Sequence, residues 1–245
     1  MADIVDKILP RRRVHLLCGP SGSGKTRFML DAMVAWAKGQ DFLGYKSFPE
    51  PWLYVAADRS GEEVKAAINA LTLAGEDVPV MPAYAIGTDT LDWERVFNAI
   101  LGTGRKVIVW EGFGRYVGAN PKGHIVDRFI EQLTYRVQKH DLTLIGIVEQ
   151  PKMKPKDRYG NPRQRISGPV AWGHHCSTVI TIEPIDEDNP SNPKREIWVI
   201  PHENNVAPQR LIATLASGHV VVLPDEDMMT EDFLRGLNLD KDEEE

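Results

Sequence analysis

The chain has 245 residues, with 29 Lys+Arg against 35 Asp+Glu, a formal net charge of −6, 42% hydrophobic and 26% charged residues. A chain of this length and make-up buries a core of its own, which excludes a wholly disordered protein and a small scaffold that needs disulfides or structural metal. Its two cysteines, Cys18 and Cys176, are too few for a disulfide framework, so a reducing compartment is expected.

Residues 1–12 read as an N-terminal arm. They hold Pro10 and the start of the triplet Arg11-Arg12-Arg13 with no long apolar stretch behind it, unlike a signal peptide or a membrane anchor. A cytoplasmic protein without membrane contact is expected. The triplet either joins a basic surface or merely flanks the first strand. Arg13–Cys18 is that strand, and after a Gly-rich turn Thr26–Lys38 reads as a helix, with Phe28, Met29, Met33 and Trp36 at helical spacing. Trp52–Ala57 is a second strand, ending at Asp58. Ser60 is a suitable N-cap for the helix that follows, with Gly75 just past its end.

A helix over Leu91–Leu101 leads into the strand Lys106–Trp110, which ends at Glu111. Ile125–Lys139 is a helix with Ile125, Phe129, Leu133 and Val137 as its apolar stripe, and Leu142–Val148 is a nearly all-apolar strand that ends at Glu149-Gln150. Apolar strands alternating with helices describe a mainly parallel α/β sheet covered on both faces. Ser177–Glu183, Arg195–Ile200, Arg210–Leu215 and His219–Leu223 are strands on short connections, expected as an antiparallel extension at one edge. One domain over 13–224 follows, with an acidic tail over 225–245 that carries five carboxylates in its last six residues.

Gly19-Pro20-Ser21-Gly22-Ser23-Gly24-Lys25-Thr26 fits G-x-x-x-x-G-K-[ST] in full and sits between a buried strand and an amphipathic helix. Chance produces the four fixed positions in about 1% of chains of this length. In such a turn backbone N–H groups and the helix N-terminus wrap phosphates, Lys25 reaches the β and γ oxygens, and the Thr26 hydroxyl binds Mg²⁺. ATP and Mg²⁺ are the expected cofactors.

Phosphoryl transfer to water also needs a carboxylate near the metal, a group that orients water, and positive charge. Asp58 and Glu111 each follow a strand whose end opens onto the same sheet edge as the loop. Gln150 repeats the placement and is suited to a hydrogen bond with the γ-phosphate or with water. His174-His175-Cys176 lacks a second cluster to complete a zinc site.

Residues 151–166 hold Lys152, Lys154, Lys156, Arg158, Arg163 and Arg165 against the single acid Asp157, with Pro155, Gly160 and Pro162 opposing a helix. Cations around the aromatic Tyr159 suit the backbone and stacked bases of single-stranded DNA. The bland alternative is a solvated loop. The acidic tail, opposite in charge, is a candidate competitor for it.

The phosphate loop, the segment Tyr54–Asp58, the segment Val107–Tyr116 and the strand ending at Glu149-Gln150 resemble, in order and spacing, the RecA-like ATPase core. Within it they are most similar to the RepA-type hexameric replicative DNA helicases. The resemblance covers about residues 13–215 and implies roles by position. Lys25 and Thr26 bind phosphate and Mg²⁺, Asp58 replaces the catalytic glutamate, Glu111 stands for the Walker B aspartate and shares the metal, and Gln150 is the sensor. It also implies that segment 151–166 faces a central channel. Such rings complete each site with a basic finger from the next subunit. The corresponding segment here reads Pro201-His202-Glu203-Asn204-Asn205, His202 is a weak substitute, and Arg210 is the preferred finger.

The expected function is therefore ATP hydrolysis coupled to translocation on single-stranded DNA by a homo-oligomeric ring, a helicase of phage, plasmid or bacterial replication that meets other replication or recombination proteins. The alternative is a nucleotide-dependent DNA-binding accessory for recombination or helicase loading that does not unwind. A small-molecule kinase would need an acceptor pocket and a lid that the sequence does not display.

Overall fold

The computed structural model describes residues 3–6, 8–57, 62–64, 66, 79–82, 93–117, 123–149, 175–186, 189, 192–201, 208–215 and 221–223. In chain order these form β1 (Val14–Gly19), α1 (Lys25–Lys38), β2 (Trp52–Ala56), β3 (Val80–Pro82), α2 (Trp93–Gly102), β4 (Val107–Trp110), a 3-10 turn (Phe113–Val117), α3 (Gly123–Lys139), β5 (Thr143–Glu149), β6 (Thr178–Pro184), β7 (Lys194–Pro201), β8 (Gln209–Thr214) and β9 (Val221–Leu223). The strands make one nine-stranded sheet in the order β3-β2-β4-β5-β1-β6-β7-β8-β9.

Six strands, β3 to β6 in that order, run parallel, and β7, β8 and β9 continue the sheet antiparallel. The mainly parallel sheet with an antiparallel C-terminal extension is the expected architecture, with two corrections. β3 was not anticipated from the sequence, because Val80-Met81-Pro82 is short and contains a proline. β6, expected among the antiparallel strands, pairs parallel with β1, with His15 opposite Thr178. Residues 150–177 separate β5 from β6, and a connection of that length allows the crossover a parallel neighbour requires.

Strands β1, β2 and β4 are buried along their whole length because both faces are covered. Alternate residues feed two cores. Tyr54, Val109, Ile145, Ile147 and Ile180 meet α1 on one face. Leu16, Val55, Ile108, Trp110 and Leu144 meet α2 and α3 on the other. Every residue of α1 from Phe28 to Trp36 is buried, since a second layer lies outside it. Ile4, Val5, Ile8 and Leu9 supply that layer, with Val5 bridging Leu9 and Ser47. Four apolar residues of the expected arm 1–12 are thus packed into the core, while Asp6 and Arg12 are exposed.

In α3 the buried stripe is Val126, Phe129, Ile130, Leu133 and Val137. Ile125, assigned to that stripe from sequence, is 43% exposed, because the stripe drifts round the helix by one position. Among the described residues no helix is long and apolar enough to cross a membrane.

Two members of the arginine triplet are tied down beside the first strand. Arg11 pairs with Glu50, and Arg12 Nη2 donates to the Gln138 carbonyl at 3.0 Å while its Nε lies 3.5 Å from Asp141. These contacts gather where β1 and β5 begin, the opposite sheet edge from Gly19. Arg11 and Arg12 thus flank the strand, while segment 151–166, whose basic surface the triplet was the alternative to join, lies outside the described residues.

His15 is fully buried in β1, with Nε2 2.9 Å from the Pro10 carbonyl. Burial pushes its pKa down to about 4, with Arg13 adding to the depression and the Pro10 carbonyl opposing it. A neutral ring donates from Nε2 to Pro10. The two free thiols are buried as well, Cys18 being pushed up to about 12 and Cys176 well above its usual range, so both stay neutral.

Gly146 makes room for an aromatic ring from the 3-10 turn, since a Cβ there would lie 2.6 Å from Phe113 Cγ. Phe113 also packs edge-on to Trp110, with centroids 5.7 Å apart. The chain just beyond Glu111 is thereby clamped onto β5.

Two outcomes follow from this packing. Unfolded His15 takes a proton near pH 6.5 and the folded residue resists it to about 4, so stability is full above the upper value and falls as pH drops through that window. The gap corresponds to about 3 kcal/mol. Denaturant unfolding between pH 7.5 and 4 should show a decline shallower by about that amount in His15→Gln than in the wild type; parallel curves would refute the assignment. Gly146→Ala, which overpacks Phe113, should lower stability by about 1–3 kcal/mol, and Gly146→Ala with Phe113→Leu should recover part of it in the same assay.

Candidate phosphate site

β1 runs buried to Gly19 and the chain turns at once into α1, which carries Lys25 and Thr26 as its first two residues. The turn closes locally through Ser23 N–H to the Pro20 carbonyl at 3.2 Å. Gly24 is the N-cap of α1, at φ 96° and ψ 14°, a left-handed conformation that glycine adopts without steric penalty. No side chain caps this helix end and the helix's own first turn holds no acid, an arrangement of N–H groups and positive dipole end suited to an anion. Lys25 Nζ donates to the carbonyls of Gly19 and Pro20, each at 2.8 Å, which holds the ammonium against the loop.

Glu111 follows β4 and is buried, at 3% exposure. Its Oε1 accepts a hydrogen bond from Thr26 Oγ1 at 3.1 Å. The two residues follow strands that are not neighbours, since β5 lies between β4 and β1. Two strand spacings amount to about 9–10 Å, and the extra methylene of glutamate over aspartate helps the carboxylate span it. Glu111 N–H donates to the Val55 carbonyl at 3.0 Å, which fixes the backbone end of the reach. A hydroxyl and a carboxylate oxygen so joined are hard ligands of the kind Mg²⁺ takes alongside phosphate and water. Among the described residues no group of three or more His, Cys, Asp and Glu could hold a metal ion.

The antiparallel extension reaches this loop from the other side. Arg195, at the start of β7, donates from Nε to the Ser23 carbonyl at 2.8 Å and from Nη1 to the Lys194 carbonyl at 2.9 Å and the Asn192 carbonyl. It is only 6% exposed, and burial pulls its pKa below the ordinary arginine value. Leu215, just past β8, lies so close to Gly24 that a Cβ on the glycine would collide with its Cδ1. Neither residue stands out in the sequence. Lys194-Arg195-Glu196 reads as the solvated start of a strand, and only its place opposite Pro184, at the carboxyl end of β6, makes it a neighbour of the loop.

The remaining sequence candidates fall in three groups. β2 ends at Ala56 beside the Trp110–Glu111 corner, and β5 ends with Glu149 opposite Gly19. Asp58 and Gln150, the residues expected to act beyond these two strand ends, lie outside the described residues. So do Ser60, Lys152, Lys154, Lys156, Arg158, Tyr159, Arg163, Arg165, His174, His202 and the tail 225–245. Arg210 is described. It is near the start of β8, where Val199 pairs with Gln209, and its Nε is paired with Glu196. This is the sheet edge opposite the phosphate loop of its own chain. His175 pairs with Asp127 at 3.0 Å.

Similarity to known proteins agrees with this geometry. In three dimensions the chain is similar to the crystal structure of a KaiC-like protein from the hyperthermophilic archaeon Pyrococcus horikoshii OT3, with a TM-score of 0.64 at 14% sequence identity, covering 91% of this chain and 94% of that one. No curated protein matches the sequence. A family model described as an AAA domain matches residues 1–152, which include the phosphate loop, Glu111 and all of β5. The chain belongs to this AAA domain family, as a P-loop ATPase with a RecA-like fold.

Proposed function

We propose that the protein hydrolyses ATP to translocate on single-stranded DNA, as a hexameric, ring-forming replicative helicase. The observation that carries the reading is the register of β5 on β1. Glu149 lies opposite Gly19, so the chain leaves the edge of the phosphate loop and enters the cationic segment 151–166 within two residues. A change at the phosphates and a change in grip on DNA then belong to one continuous stretch of chain.

The residues at the loop fit Mg²⁺–ATP, because the uncapped start of α1 offers N–H groups and the Thr26–Glu111 pair offers oxygen ligands. Bound Mg²⁺–ATP supplies the phosphoanhydride bond whose cleavage drives the cycle. Lys25 exchanges its two backbone carbonyls for phosphate oxygens, and Thr26 with Glu111 holds the metal. Asp58 orients water and Gln150 senses the γ-phosphate. Arg210 serves the neighbouring subunit as its finger, released from Glu196 when the ring assembles. Lys152, Lys154, Lys156, Arg158, Arg163 and Arg165 hold the DNA backbone, with Tyr159 stacking on a base.

The expected result is steady-state ATP hydrolysis that rises with added single-stranded DNA, together with strand displacement on a forked duplex. Lys25→Ala should abolish nucleotide binding, and Glu111→Gln should lower kcat by at least about a hundredfold while nucleotide binding survives. Nucleotide-dependent assembly on DNA with no displacement would replace the helicase by the non-unwinding accessory. Hydrolysis indifferent to DNA would refute both.

A second measurement addresses the cationic segment. Changing Lys152, Lys154 and Lys156 together to Ala should weaken single-stranded DNA binding and reduce the slope of log affinity against log salt by about 2, with the unstimulated hydrolysis rate retained. An unchanged slope would mean that the segment is only a solvated loop.

A further inference from the structure

We infer that Arg195 is a positioning residue of the phosphate loop, through which the antiparallel extension sets the loop's affinity for nucleotide; the inference rests on the nucleotide binding proposed above. The matched family segment ends at residue 152, and Arg195 lies beyond it, on a strand that contributes nothing to the strand-loop-helix motif itself.

The geometry is specific. One face of the guanidinium is committed to its own hairpin, since Nη1 donates to the carbonyls of Asn192 and Lys194. The Nε–H is directed to the Ser23 carbonyl at 2.8 Å. That carbonyl belongs to the peptide unit that supplies the Gly24 N–H, one bond before the helix start. Holding the oxygen fixes the plane of the peptide, and so the direction of an N–H that faces phosphate. Leu215 fills the space beside Gly24 that a side chain would occupy, next to Arg195 Nε, and so packs the loop at its left-handed residue. A buried cation bonded to three carbonyls is also a fixed positive charge behind an anion site, where low exposure limits its screening.

Because the support acts on the loop backbone, which cradles the α- and β-phosphates, its removal should weaken ATP and ADP alike. A side chain that touched the γ-phosphate would affect ATP alone.

The test is titration of a fluorescent ATP analogue and its ADP counterpart, each with Mg²⁺, into the full-length wild type, Arg195→Met, Arg195→Lys and Leu215→Ala. Thermal unfolding without nucleotide is measured on the same samples. Arg195→Met should raise Kd for both nucleotides about tenfold, Arg195→Lys should recover part of the loss, and Leu215→Ala should weaken both by a smaller, similar factor. Where Arg195→Met does not fold, Arg195→Lys and Leu215→Ala carry the comparison. Nucleotide affinities within twofold of the wild type in the folded variants would overturn the inference, even with a lowered melting temperature. Loss of ATP binding with ADP binding intact would overturn it too. Lys25→Ala separates the two levels: if it binds as the wild type does, the nucleotide reading has failed and this inference falls with it, whereas weak binding there with wild-type binding in Arg195→Met fells this inference alone.

Discussion

Thr26 and Glu111 are 85 positions apart in sequence, yet a hydroxyl and a carboxylate oxygen meet at 3.1 Å. Parallel strands make this possible. Each of them ends at the same edge, so whatever follows β1, β4, β2 and β5 arrives on one side of the sheet. The phosphate loop, the buried acid and the approach to the cationic segment are consequences of that one constraint. Were any of these strands reversed, its trailing residue would sit on the far edge, with Arg12 and Gln138. The clamp of Phe113 over Gly146 protects the arrangement, because it fixes the chain immediately after Glu111 against the strand that separates it from Thr26.

The three antiparallel strands are more than an edge cover. By reversing direction, β7 begins at the carboxyl end of β6, and its first residues come back to the loop that β1 and α1 form. Arg195 and Leu215 meet Ser23 and Gly24 because β7 starts, and β8 ends, at this edge. The P-loop is thus held from two directions, by a core that the family model spans and by an extension that it does not.

Much of this was legible in the sequence, for identifiable reasons. Apolar runs broken by helical periodicity disclose a parallel sheet, since a strand covered on both faces has few polar positions. The phosphate loop is legible because its chemistry requires glycine, lysine and a hydroxyl at fixed spacing. Glu111 is legible by its place after a strand, although its contact with Thr26 depends on strand order, which local patterns do not encode. β3 escaped because three residues with a proline carry too little period to register. The direction of β6 escaped because short neighbouring connections suggest hairpins, while the long stretch before it permits a crossover. Ile125 misled because a stripe at spacing four drifts around a helix of 3.6 residues per turn. Arg195 was invisible because a charged residue at a strand start is ordinarily solvated, and only the fold converts it into a buried donor.

The same topology bears on the coupling between phosphates and DNA that the proposed function requires. β5 is paired with β1 on one side and β4 on the other. It therefore touches both the strand that ends in the phosphate loop and the strand that ends in Glu111. On the reading proposed above, a displacement of either strand end would reach the end of β5 through the backbone hydrogen bonds that pair the three strands. Glu149 is the last residue of that strand, and the cationic stretch starts three positions later at Lys152. Coupling over so short a path needs no separate relay, only a β5 end that has two positions. Leu144, Ile145, Ile147 and Val148 alternate between the two cores and anchor the body of the strand, whereas Glu149 at its end is exposed.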